Sequence, residues 1–86
     1  MKPILYFAPW CPDTDDFVAE LETYGIEYEA RDMATERMNF KAFLKLRDHH
    51  PIFDKAKAEG YIGIPALVLG DGTVILDKSL LKTLKE

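Results

Sequence analysis

The chain alternates short apolar runs with longer stretches in which apolar positions recur at helical spacing. Ile4 to Phe7 (ILYF) is apolar throughout, as in a strand buried on both faces. From Pro12 the period changes. Phe17, Val18, Leu21 and Tyr24 fall at helical spacing, Pro12 suits a first helical position, and Gly25 suits a C-terminal cap. Ile26 to Arg31 (IEYEAR) then alternates apolar and charged residues like a half-exposed strand. A strand, a helix and a strand within about thirty residues imply a parallel strand pair.

The spacing predicts another helix over residues 34–50, with Phe40, Phe43, Leu44 and Met38 on its buried face. Pro51 stops it and opens a second helix through Lys57, closed by Gly60. After the turn YIGIP, Ala66 to Leu69 and Thr73 to Leu76 are two short apolar runs. Gly70-Asp71-Gly72 joins them with a strong hairpin signal. Asp77 or Ser79 can cap a last short helix whose Leu80, Leu81 and Leu84 share a face. The order is βαβ, then helices, then ββα. The predicted fold class is therefore α/β, a four-stranded mixed sheet with helices on both faces, because the apolar strand Ile4 to Phe7 must be covered twice.

Composition narrows this picture. Eighty-six residues make one small domain, residues 1–86, with a thin core and an active site that must be largely a surface groove. A hydrophobic share of 48% argues for a folded globule over a disordered segment. The net charge of -4 argues against nucleic acid or an anionic membrane surface as the main partner, since both need clustered Lys and Arg. No apolar run approaches the roughly 20 residues of a membrane span. Met1-Lys2-Pro3-Ile4 passes into a strand-like run without a signal-peptide cleavage pattern, so a cytoplasmic protein is expected. A single cysteine agrees with a reducing compartment and rules out an intrachain disulfide. Any disulfide at Cys11 must be to another molecule, and a monomer is expected.

Cys11 lies in FAPWCPDT, beyond the carboxyl end of the first strand and at the start of the first helix. Open α/β sheets place their ligand crevice there. A thiolate at that helix N-terminus can accept N–H bonds from residues such as Asp13 and Thr14, and the helix dipole favours its charge. Asp13, Asp15 and Asp16 stabilise the helix start while opposing that effect at the sulfur. Trp10 is either a packing residue or a wall of the groove. Pro65, entering a strand, marks an edge or a first residue, and its bond to Ile64 is a candidate cis peptide. His49 and His50 have no zinc spacing and read as a helix C-terminus and a cap before Pro51, so no metal is expected.

Strand, loop and W-C-P-x-T on a helix, followed by a G-I-P turn, an apolar hairpin and a short terminal helix, resembles the glutaredoxin branch of the thioredoxin fold over essentially the whole chain. The resemblance implies that Cys11 is the nucleophile of the family's C-P-x-C site and that Pro65 is its cis-proline, packed against the thiol. It implies further that the Ile64 backbone pairs with the peptide part of glutathione, with Trp10 and Pro12 beside the sulfur, and that Asp77 and Lys78 lie where the γ-glutamyl end binds. The second cysteine of the family falls at Thr14, which leaves a monothiol path through a mixed disulfide, with Thr14 supporting the thiolate by its hydroxyl. The usual basic residue three places before the cysteine is Ala8, the aromatic of C-P-Y-C is Asp13, and the family's Gly-Gly aligns with Ile75-Leu76. One lost cation and one added carboxylate weaken attraction for the two carboxylates of glutathione.

The expected function is that of a monothiol thiol–disulfide oxidoreductase, with glutathione as possible co-substrate and a small-molecule thiol or a protein disulfide as partner. The alternatives are a non-catalytic peptide-binding or adaptor module built on Trp10, Ile64 and Pro65, and a dimer bridged by an iron–sulfur cluster.

Overall fold

The computed structural model describes residues 2–84, so Met1, Lys85 and Glu86 of the expected 1–86 domain lie outside the described residues. Four strands form one sheet in the order β2-β1-β3-β4. β1 (Ile4–Phe7) pairs in parallel with β2 (Glu29–Asp32) and antiparallel with β3 (Ala66–Val68), which pairs antiparallel with β4 (Val74–Ile75). Strand alternation divides the core into two layers. Leu5, Leu67 and Ile75 meet Phe17 and Leu21 of helix α1 (Asp13–Thr23) and Leu81 of the C-terminal 3₁₀ helix (Lys78–Leu84). Tyr6, Ala66 and Val74 meet Phe43 of α2 (Arg37–His49), Met33, and Phe53 of the 3₁₀ turn Pro51–Phe53 that leads into α3 (Asp54–Glu59). The mixed sheet is thus covered on both faces, as the uniformly apolar ILYF requires.

Element boundaries follow local hydrogen bonds. α1 begins at Asp13, with Pro12 as its N-cap. At the other end Ile26 N–H donates to Leu21 O at 2.9 Å and Gly25 N–H to Glu22 O at 3.1 Å, a Schellman cap with Gly25 at φ 65. Ile26 therefore still belongs to the helix end, and β2 starts at Glu29 instead of Ile26. Asp32 Oδ1 accepts the N–H groups of Ala34 and Thr35, and Glu36 caps α2, so that helix starts at Arg37 instead of residue 34. His50 Nδ1 accepts from Ile52 N–H at 3.2 Å, the cap expected before Pro51. α3 runs past Lys57 to Glu59 and stops at Gly60, whose φ is 80. Both hairpin strands are a residue or more shorter than their apolar runs. Leu69 and Thr73 already serve the turn, through Leu69 N–H to Thr73 O at 2.8 Å.

Two expected faces are corrected. On α2, Phe43 is fully buried, but Met38, Phe40 and Leu44 are exposed by 61%, 44% and 38%. The inward stripe is Asn39, Phe43 and Leu46, at helical i, i+4 and i+7, anchored where the Asn39 amide donates to Asp32 O at 3.1 Å. Phe40 and Leu44 stand one residue, about 100° of rotation, beyond that stripe. At the C-terminus the helix is 3₁₀, so Leu81 and Leu84, three apart, share the core face and Leu80 leaves it.

Candidate functional site: a thiol facing a cis-proline loop

The loop between β1 and α1 is built on one carbonyl. Ala8, fully buried, accepts Cys11 N–H at 3.0 Å and Thr14 Oγ1–H at 3.3 Å. This double acceptance folds FAPWCP back on itself and sets Cys11 at the rim, half-buried, ahead of the helix. The Cys11 thiol donates to Ile64 O at 3.7 Å, across 53 residues of sequence. Ile64–Pro65 is cis, and β3 begins at the next residue. The thiol and the proline turn thus stand side by side.

Around the sulfur lies a groove of about 550 Å³ that Trp10, Cys11, Pro12, Tyr61, Ile62, Ile64 and Pro65 help to line. Trp10 and Tyr61 are the exposed aromatics of its rim, at 63% and 65%. A second cavity of about 390 Å³ shares Asp13, Ile64, Pro65 and Leu76 with it and adds Asp16, Asp77 and Lys78. Its lining carries three carboxylates against one ammonium. Lys78 lies 3.6 Å from Asp16, an exposed pair that contributes little to stability. The Asp77 carboxyl sits below the ordinary carboxylate value of 3.8, because it accepts the backbone N–H and the hydroxyl of Ser79, with a smaller contribution from Lys78.

Of the residues singled out in the sequence, Trp10, Cys11, Pro12, Ile64 and Pro65 share one groove, and Asp77 and Lys78 join through the adjoining cavity. Thr14 is different. Only 7% exposed, it gives its hydroxyl proton to Ala8 O, so it braces the loop and does not donate to the sulfur. Its backbone N–H goes to Cys11 O at 3.2 Å and is likewise directed away from the thiol. Sequence reasoning missed Tyr61, Ile62 and Leu76. YIGIP was legible as a turn, but nothing in it marks Tyr61 and Ile62 as lining the same groove as Trp10. Leu76 follows directly on β4 and lines both cavities, which its place at the end of an apolar run does not announce. His49 Nδ1 lies 2.8 Å from Lys45 O, and among the described residues no cluster of three or more His, Cys, Asp or Glu is arranged to hold a metal ion. Among the described residues no helix is long and apolar enough to cross a membrane.

No family model and no solved structure matches the chain. A Haemophilus influenzae protein named only as an uncharacterized protein is 51% identical over 83 residues, covering 96% of each chain. Likeness at that level over nearly the whole length of both shows common descent, and the chain belongs to the same family as that Haemophilus influenzae protein.

Proposed function

We propose that the chain is a glutaredoxin-like member of the thioredoxin-fold superfamily that exchanges thiols and disulfides with one cysteine. The observation that carries this reading is the meeting of the half-buried Cys11 thiol, 3.7 Å from Ile64 O, with a cis Ile64–Pro65 turn at the floor of an open groove. The strand order β2-β1-β3-β4, with one parallel and two antiparallel pairs, supports the fold assignment. A lone thiol also suits a reducing, cytoplasmic setting.

The chemistry needs one sulfur from the protein. Cys11 loses its proton to solvent and its thiolate attacks one sulfur of a disulfide, forming a mixed disulfide and expelling the other sulfur as a thiolate. A second thiolate, glutathione in the simplest case, attacks the partner's sulfur in that mixed disulfide. Cys11 leaves as thiolate and a new disulfide departs, so the protein ends as it began. With Thr14 in the position of a second cysteine, no intramolecular resolution competes with this path.

The test is exchange with oxidised glutathione followed by intact mass. Wild-type protein should gain a single glutathione adduct that reduced glutathione removes, and Cys11→Ser should gain none. An adduct forming no faster than on a free cysteine peptide would favour a second reading, an adaptor that binds extended peptides. The apolar rim of Trp10, Tyr61 and Ile62 suits that reading as well.

A further inference from the structure

One cation of α2 is committed to the thiol groove from outside it. Arg47 Nε donates to Ile62 O and Nη2 to Tyr61 O, both at 2.8 Å. Among the described residues no carboxylate lies within ion-pair distance of this guanidinium. Its two hydrogen bonds go to consecutive carbonyls.

These carbonyls belong to the segment between the α3 cap and β3, which forms neither helix nor strand. The segment is tied at its start by Tyr61 N–H to Ala56 O at 2.8 Å and pressed at Gly63 onto the Phe53 ring. Arg47 supplies the hold between these points. A planar guanidinium presents its donors in a fixed fork, so gripping two successive carbonyls sets the direction of the chain as well as its distance from α2. The gripped residues, Tyr61 and Ile62, line the groove with Trp10, and the next residue but one is Ile64, whose carbonyl meets Cys11.

We propose that Arg47 is a positioning residue of the thiol site: it holds the Tyr61–Ile62 wall in place and so sets how well a polypeptide disulfide is bound, without touching the sulfur. The proposal rests on the thiol–disulfide reading above. A large substrate that leans on the wall needs Arg47; a small disulfide that reaches only Cys11 does not.

The experiment compares wild type, Arg47→Ala and Arg47→Lys on two substrates, with reduced glutathione as the resolving thiol. One is a short peptide whose single cysteine is in mixed disulfide with glutathione, and the other is bis(2-hydroxyethyl) disulfide. In Arg47→Ala the KM for the peptide should rise about tenfold, as expected for the loss of two charge-assisted hydrogen bonds from a wall that retains other ties. Its kcat, and both constants for the small disulfide, should stay within about twofold of wild type. Arg47→Lys keeps the charge without the fork and should resemble the alanine variant; full rescue by lysine would assign the effect to charge and overturn the proposal. Equal losses on both substrates would also overturn it, by making Arg47 a general structural residue. Wild type that exchanges while Arg47→Ala keeps its peptide KM would sink the proposal alone, whereas wild type that exchanges with neither substrate would sink the thiol–disulfide reading and the proposal together.

Discussion

Gly63 packs against Phe53 so closely that a Cβ on it would stand 2.7 Å from the ring's Cδ1 and 3.0 Å from Cε1. Its φ of 96 is also in the region that side chains avoid. The ring is fully buried and held edge-on to Phe43, at 5.6 Å and 86°, so it has little room to give. Gly63→Ala therefore combines a left-handed backbone cost of about 1–2 kcal/mol with an overpacking cost of about 1–3 kcal/mol. Its thermal midpoint should fall by several degrees, with slower exchange at Cys11 because the same loop carries Ile64. A midpoint equal to that of wild type would mean that the loop lifts off Phe53 freely.

The two phenylalanines of α2 should behave as opposites. Phe43 is fully buried between the Tyr6 and Phe53 rings, and Phe43→Ala should cost about 3–5 kcal/mol in urea unfolding. Phe40 is 44% exposed on the outer face, and Phe40→Ala should change stability by less than about 0.5 kcal/mol. Comparable losses would put both residues inside.

This pair also shows what the sequence could and could not reveal. An all-apolar strand, a Schellman glycine, a proline stop and an Asp-Gly turn act locally, and each predicted its element. Which stripe of α2 faces inward is decided by a polar residue, Asn39, finding Asp32 O, and hydrophobicity alone chose the neighbouring stripe. The site divides the same way. Cys11, Pro12 and Pro65 sit at element junctions where a motif can be read, whereas Tyr61, Ile62 and Arg47 join them through contacts 14 and 15 residues apart that leave no periodic trace.

Thr14 gives a direct test of what its hydroxyl does. Thr14→Val keeps the shape and removes the bond to Ala8 O, which still receives Cys11 N–H. Stability should fall by about 0.5–1.5 kcal/mol. The rate of disulfide exchange at Cys11 should stay within about twofold, since the hydroxyl serves the loop. A tenfold slower reaction with unchanged stability would return Thr14 to the sulfur.

Asp77 ties the C-terminal 3₁₀ helix to acidity. Its carboxyl lies below the ordinary 3.8 because the ionised form accepts the N–H and hydroxyl of Ser79. A folded-state value below the unfolded one means that the unfolded chain binds the proton more readily. The contribution is therefore present above about pH 4 and is lost as pH falls through the folded value. Asp77→Ala should be less stable than wild type by a constant margin from about pH 5 to pH 7, and the margin should close at lower pH. A margin unchanged well below pH 3.8 would mean that ionisation of Asp77 contributes nothing.

Charge around the thiol should govern which disulfides react. Asp13 lines both cavities, Asp16 and Asp77 line the smaller one that adjoins the thiol groove, and Lys78 offsets only part of their charge. Oxidised glutathione brings carboxylates toward these groups, while bis(2-hydroxyethyl) disulfide brings none. A single like charge at about 4 Å in water costs about 1 kcal/mol, roughly fivefold in rate. Relative to the neutral disulfide, glutathione disulfide should react several-fold more slowly than it does with a free cysteine peptide. Added salt should narrow that gap, because these carboxylates are screened on the 10 Å scale of about 0.1 M salt. Asp13→Asn should narrow it further, as the carboxylate common to both cavities, and should leave the neutral disulfide within about twofold. If the ratio of the two rates ignores both salt and Asp13→Asn, electrostatics at the groove does not select the substrate, and the shape set by Leu76 and Tyr61 must.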